Sequence, residues 1–477
     1  MASPSPPFSW QPDMTTSRRT VIPLAIFLLA SAIAQAGVLA DHPGYWLGDL
    51  KVSEGSVLKI GVESFTRADG SAWASVASPD QGAYDIPVTR LREAGNTVEL
   101  DLPMAAMRLT WVDDHFDAEW KQNGPPLHMS LRAVAQFPRR SRPQSPTAPF
   151  PYADETLAVQ STAGVMLGAT LSLPAGVASP DLAILVHGSG PSTRDAEVDG
   201  HRTFAVLADQ LARRGIAVLR YDKRGISRST GDYQGHTQGQ LADDLAAVVR
   251  ALAARQQFAS IGLIGHSEGS MIAAAVAARY PDSVDSIVSL AGVGMPGVEL
   301  MLLQDRLVAR DQGADPAELA RVMPYARRFY ETVVARPEVV ARLAALETLH
   351  ESLSSADKAL INKYHMDEGT LSLSWARQPF LRDSLISDPR SDWQAVRCPV
   401  LALNGDVDHQ VPPENLAGIV SALHVGGNHR VQSAILTSVN HMFQTARTGA
   451  VDEYAAIDET IAPNVVERIG EFVLRPR

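Results

Sequence analysis

The sequence predicts a small all-β unit followed by a doubly wound α/β domain that carries an inserted helical segment. Three observations carry this reading. Solid apolar runs recur along the second half: LAILV (182–186), IAVLRY (216–221), IGLI (261–264), SIVSLA (286–291), PVLAL (399–403) and SAILTSV (433–439). Runs of this kind are buried on both faces, and helical segments lie between them, which is the pattern of a parallel sheet covered by helices. Residues 41–137, by contrast, show short stretches such as LKIGV, TVELDL, LTW and LHMSL, and no long helical period. Finally, residues 295–392 separate SIVSLA from PVLAL, far too long for a structureless connection. AELARVMPYARRFYETVV and PEVVARLAALETLHESL within it read as helices, so the insertion is expected to form a helical cap over the sheet's active edge.

Taken in order, residues 1–36 have the three parts of a secretory signal peptide. Arg18 and Arg19 precede VIPLAIFLLASAIA, and Ala34–Ala36 (AQA) supply small residues for cleavage before Gly37. The apolar stretch is short for a membrane span. Residues before Met14 fit no signal pattern, which makes Met14 the candidate start. The expected product is exported, to the periplasm or beyond, with no stable membrane span after cleavage. Residues 37–137 form the β-rich unit. Turn signals at Asp69-Gly70 and Asn123–Pro126 separate its strands, and Trp46, Trp73, Trp111 and Trp120 can anchor its core. A closed or nearly closed meander is expected, because closure removes open edges. Its aromatics read first as core packing and second as a ligand-binding cup. Residues 138–151, PRRSRPQSPTAPFP, read as a semi-rigid linker with little that packs.

The α/β domain is expected over 152–294 and again over 393–477, on either side of the cap. Alternation from Val165 to Leu173 marks a half-buried strand. Phe204, Leu207, Ala208 and Leu211 repeat at helical spacing before Gly215. Thr237 and Gln240 make a capping box ahead of Leu241, Leu245, Val248, Val249 and Leu252, and Pro463 opens a final helix.

Lys+Arg 42 against Asp+Glu 53 gives a net charge of −11, which argues against a nucleic-acid partner. Cys398 is the single cysteine, so no internal disulfide forms, and its CPV context reads as a core thiol. No zinc-type cluster, P-loop or dinucleotide fingerprint occurs, and no cofactor or metal is implied.

The chemistry centres on Gly265-His266-Ser267-Glu268-Gly269. It is G-x-S-x-G, placed between IGLI and the helical run SMIAAAVAARY. That strand–turn–helix setting is a nucleophile elbow, in which side chains at the flanking positions would collide and glycine is needed. A serine hydroxyl needs a base, and this arrangement supplies acid and base later in the chain. PVLALNGDVDHQVP places Asp406 and Asp408 past one strand end, and ILTSVNHMF places His441 past the next. Asp408 is the expected acid and His441 the base, with Asp406 tightening its turn. His266 and His409 read as pocket or packing residues. His187-Gly188-Ser189-Gly190 follows LAILV at another strand end. The backbone N–H groups of Ser189 and Glu268 are the expected oxyanion donors, with Gly190 in reserve. His187 is expected to hold that loop, and an Asp222–Arg224 pair in RYDKRGISRSTGD is expected to brace it.

LVHGSG, RYDKRGISRSTGD, GLIGHSEGS, GDVDHQVP and NHMF, in that order, resemble the α/β-hydrolase superfamily over residues 152–475. The likeness is to bacterial serine carboxylesterases that carry an extra N-terminal β-rich domain. It implies an α/β-hydrolase fold, with Ser267 as nucleophile, Asp408 as acid, His441 as base, and a small-molecule ester as substrate. The elbow ends GHSEGS where relatives often have a second glycine, but Ser270 lies on the helix. The superfamily also holds peptidases, aminopeptidases, thioesterases and lipases. A peptidase or thioesterase is therefore the close alternative, and a non-catalytic binding protein on a hydrolase scaffold the remote one. The sequence leaves oligomeric state open, a dimer included.

Overall fold

A computed structural model describes residues 37–122, 124–366 and 369–475. The signal-peptide reading over residues 1–36 lies outside the described residues. No helix among the described residues is long and apolar enough to cross a membrane.

Residues 44–134 form a nine-stranded antiparallel meander. Ala83–Pro87 is one edge of the sheet and Arg90–Ala94 the other. Only Val88 and Thr89 join them, so the sheet must curl back on itself into a half-barrel. No β-pairing closes it among the described residues. Pro87 lacks an N–H for the missing ladder, and exposed Arg90, Arg92 and Glu93 keep the other edge in water. The inner face buries Val62, Val76, Leu109, Phe116 and Leu131 completely. Trp46, Trp111 and Phe116 meet edge-on with centroids 5.0–5.4 Å apart, and His42 stacks on Trp111.

Residues 138–151 do pack, contrary to expectation, and they do so through polar groups. Arg142 is buried and donates to Asp199 O at 2.9 Å, Ala455 O at 3.0 Å and Ile457 O. The Gln144 amide pairs with the backbone of Thr460 and Ile461. The segment is a strap pinned to a loop more than 300 residues away.

The second sheet has eight strands in the spatial order 152–160, 166–174, 217–221, 181–186, 260–266, 286–290, 400–405 and 431–436. All neighbours are parallel except at 152–160/166–174 and 166–174/217–221. The first strand, Tyr152–Gln160, was not legible because its residues are mostly polar and partly exposed. The central apolar runs are buried on both faces as expected. Val431–Leu436 is not, since it is the sheet's edge and leaves Ile435 exposed. Helix Gln238–Ala253 starts at the expected capping box: Thr237 Oγ1 accepts from Gln240 N, and Gln240 Oε1 accepts from Thr237 N. Cys398 is buried.

The cap comprises helices Gly297–Asp311, Pro316–Ala335, Val339–Glu351, Ser355–Lys363, Leu373–Arg377 and Pro379–Ile386. It has its own core around Val322, Phe329, Tyr330, Val333 and Leu346. Its last helix is tied to the sheet domain through Asp383, which accepts from Gln238 N at 3.1 Å.

Candidate active site

Strand Ser260–His266 runs directly into helix Glu268–Arg279, and Ser267 is the single residue between them. Its backbone is held at φ 54°, ψ −122°, a conformation that costs a non-glycine residue on the order of 1–3 kcal/mol. The two glycines show why the turn tolerates nothing larger. A Cβ on Gly265 would lie 2.4 Å from Gly269 O, and one on Gly269 would lie 2.2 Å from Val186 O. The serine is therefore pressed between the oxyanion-loop strand and its own helix. Its backbone N–H is anchored to Leu290 O at 2.8 Å.

Strand Val400–Gly405 delivers Asp408 and strand Val431–Leu436 delivers His441, both past the carboxyl ends of their strands. A Cβ on Gly405 would stand 1.8 Å from Val439 O, so glycine lets the two loops meet. Asp408 is almost wholly buried. One carboxylate oxygen accepts from Gln410 N and Val411 N, each at 2.9 Å. The other accepts from Asn404 Nδ2 and lies 2.9 Å from His441 Nδ1. That contact fixes Nδ1 as the protonated nitrogen and leaves Nε2 free as a base. Asp406 accepts from Ser438 N at 2.6 Å, so it ties the acid turn to the histidine loop rather than tightening its own turn. His266 donates from Nε2 to His441 O at 2.9 Å, and the two rings lie 4.7 Å apart. The elbow and the histidine loop are thus bonded to each other. The Ser267 hydroxyl makes no hydrogen bond to the His441 ring among the described contacts. Unliganded sites often leave this edge loose until substrate closes it.

The loop after strand Asp181–Val186 passes close over the serine. A Cβ on Gly188 would lie 3.2 Å from Ser267 Cβ. The N–H groups of Ser189 and Glu268 have no hydrogen-bond partner among the described residues. His187 is buried, and burial together with the Lys223 charge pulls its pKa down to about 3. It is neutral and donates from Nε2 to Thr193 O at 3.1 Å, pinning the loop. Burial and the neighbouring His441 likewise bring His266 down to about 4. Neither ring carries charge at neutral pH. His409 faces the cap instead, with Nδ1 2.6 Å from Asp311.

The second strand of the sheet alone runs against its neighbours, and a strained serine follows the fifth. Residues 197–432 match the family described as serine aminopeptidase, S33. The fold is that of the α/β-hydrolases. The chain is 23% identical over 272 residues to an esterase, EstD, of Thermotoga maritima, covering 57% of each chain. It is 38% identical over 82 residues to a bifunctional esterase/perhydrolase of Acinetobacter calcoaceticus, 17% of this chain and 28% of that one. The chain thus spans little more than half the length of the first of these relatives and less of the second. A solved structure, Est1E of Butyrivibrio proteoclasticus with ferulic acid, aligns at 18% identity and TM-score 0.41 over 67% of this chain and 98% of that one.

Ser267 opens into a cavity of about 210 Å³ between sheet and cap. Met271, Leu300, Met301, Trp375, Phe380 and Leu381 supply apolar wall, and Gln238, Gln304 and Gln410 uncharged polar groups. Glu268 is the one ionisable lining residue among those described. Its carboxylate is engaged, 3.4 Å from Lys223 Nζ and 3.3 Å from Gln238 Nε2. The expected Asp222–Arg224 pair does not form. Asp222 takes Arg194, through its backbone N–H and guanidinium, while Arg224 forks onto Asp244 with both contacts at 2.7 Å. Each of the two finds its partner on a different element, Asp222 on the loop that carries Arg194, and Arg224 on helix Gln238–Ala253.

Proposed function

We propose that this protein is an exported serine hydrolase that cleaves carboxylic esters with uncharged, apolar acyl groups. The supporting observation is a strained Ser267 facing an apolar cavity in which Glu268, the one carboxylate among the described lining residues, is already paired with Lys223. In this reading His441 Nε2 takes the Ser267 proton as Oγ bonds to the ester carbonyl carbon. The carbonyl oxygen becomes an oxyanion and accepts from Ser189 N–H and Glu268 N–H. Collapse breaks the bond to the alcohol, which leaves with the proton from His441. A water then gives a proton to His441 as its oxygen bonds to the acyl carbon; the acyl–Oγ bond breaks, His441 returns the proton to Oγ, and the acid is released. Asp408 stays ionised and holds Nδ1–H throughout. Export rests on the pattern over residues 18–36.

The aminopeptidase reading has the matched family's description in its favour. It needs a free carboxylate to hold a substrate ammonium, and Glu268 is not free. Turnover of p-nitrophenyl esters of graded chain length, set beside aminoacyl nitroanilides, separates the two. Esters should turn over faster, and nitroanilides turning over faster would sink the ester reading. A fluorophosphonate should label Ser267, and Ser267→Ala should abolish both labelling and turnover.

A further inference from the structure

Beneath the oxyanion loop lies a buried cation that the proposed mechanism does not use. Lys223 follows strand Ala217–Tyr221, and its side chain is almost entirely covered. Nζ donates to Gly188 O at 2.7 Å and to Gly190 O at 3.1 Å, and meets the Glu268 carboxylate at 3.4 Å. Its own backbone N–H donates to Ser192 O at 3.1 Å on the same loop.

We propose that Lys223 is a positioning residue that aims both oxyanion donors, an inference that rests on the hydrolase reading above. The peptide joining Gly188 and Ser189 is planar and trans, so its C=O and N–H point in opposite directions. Drawing Gly188 O onto the ammonium turns Ser189 N–H the other way, and Ser189 lines the cavity. The Glu268 carboxylate, gripped by the same ammonium, fixes the first turn of the helix whose leading N–H is the second donor. One charge therefore holds two donors from separate strand ends at a fixed separation. Burial draws Lys223 below the usual lysine range and the Glu268 charge opposes this. The neighbouring side chains keep the lysine in place. Asp222 is locked by Arg194, and Arg224 by Asp244. A pair of donors that is aimed in advance costs no reorganisation when charge develops, which is where such groups contribute most.

The test is Lys223→Met, which keeps the length and apolar stem but not the charge, in the full chain. A p-nitrophenyl ester serves as substrate and an aryl boronic acid as the tetrahedral mimic. Expected are a kcat lower by about 10²-fold with KM within about threefold, and a matching loss of boronic-acid affinity. In Lys223→Ala, added n-propylammonium should restore part of kcat and n-butanol should not. A kcat within about threefold of the parent overturns the proposal. So does a loss of kcat with boronic-acid affinity unchanged, or equal rescue by the alcohol. Should neither lysine variant fold, Glu268→Gln is read in the same two assays. About a tenfold loss in both supports the proposal, and no change overturns it. Labelling of the parent at Ser267 separates this from failure of the hydrolase reading. An unlabelled parent sinks the reading itself, whereas a labelled parent with insensitive variants sinks only the role of Lys223.

Discussion

Ser267 keeps its hydroxyl raised only because glycine stands on both sides of it, and Asp408 is useful only because its second oxygen is free for His441. These two facts give predictions at the scale of single atoms. Gly265→Ala places a methyl 2.4 Å from Gly269 O, against backbone that cannot swing aside. The strand and helix must part, at a cost of about 3 kcal/mol in denaturant unfolding, with fluorophosphonate labelling lost or much slowed. Asp408→Asn keeps an acceptor for Gln410 N and Val411 N, so the loop should fold. The amide can instead donate to His441, which selects the wrong tautomer. The expectation is a fall in kcat of about 10²–10⁴-fold with the melting temperature within a few degrees. Unchanged turnover in purified Asp408→Asn would remove the acid from the mechanism. G-x-S-x-G, the acid turn and the histidine turn were all readable at this scale, because each carries its residue type and its strand-end position in a few adjacent letters.

Among the elements, the strap and the cap show what sequence could not disclose. PRRSRPQSPTAPFP lacks apolar residues, yet Arg142 is buried because carbonyls of residues 199, 455 and 457 converge on it. Backbone carbonyls carry no sequence signature, so a polar anchor 315 residues from its partner leaves no pattern to read. Arg142→Ala strips these oxygens of their donor and should cost about 3 kcal/mol, measured by urea unfolding. Lys223 was hidden for the same reason: two of its partners are glycine carbonyls. Helices and central strands were legible because burial imposes a period on side chains, and the periods of 165–173 and 238–253 are plain. Edge strand 152–160 faces water on part of its surface and loses that signal, whereas 431–436 was legible as an apolar run but is partly exposed instead of buried on both faces. Within the cap, Asp305 is buried and held by two hydroxyls, Tyr330 at 2.6 Å and Thr370 at 2.7 Å, and no cation among the described residues pairs with it. Burial pushes it up to about 6. The folded protein therefore holds this proton more tightly than the unfolded chain, whose carboxyl titrates near 4. The stabilisation is complete below about pH 4 and is lost as pH rises through about 6. Asp305→Asn should flatten that part of the stability–pH curve by on the order of 2–3 kcal/mol. A slope unchanged between pH 4 and 7 in Asp305→Asn would show that the proton sits elsewhere.

Across the whole molecule, the half-barrel's place against the α/β domain gives it a mechanical task. The turn between its strands Ser56–Thr66 and Ala72–Ser78 lies on the loop that carries Lys223. Ala68 N donates to Arg228 O at 2.8 Å, Arg67 Nε to Ser227 O at 3.4 Å, and Arg228 reaches back to Glu63 at 2.7 Å. Arg228 N also donates to Asp222, which holds Arg194 on the oxyanion loop. A continuous run of bonds thus joins the half-barrel to the loop over Ser267. If that run matters, Glu63→Gln and Arg228→Met should each lower kcat about two- to fivefold with little change in KM. The double variant should be no worse than the worse single one, a coupling of about 0.5–1 kcal/mol. The modest size follows from Arg228 being about one-third exposed, where water competes for the pair. Additive losses would mean that the two side chains act separately. The half-barrel would then be a neighbour of the active site and not a support for it.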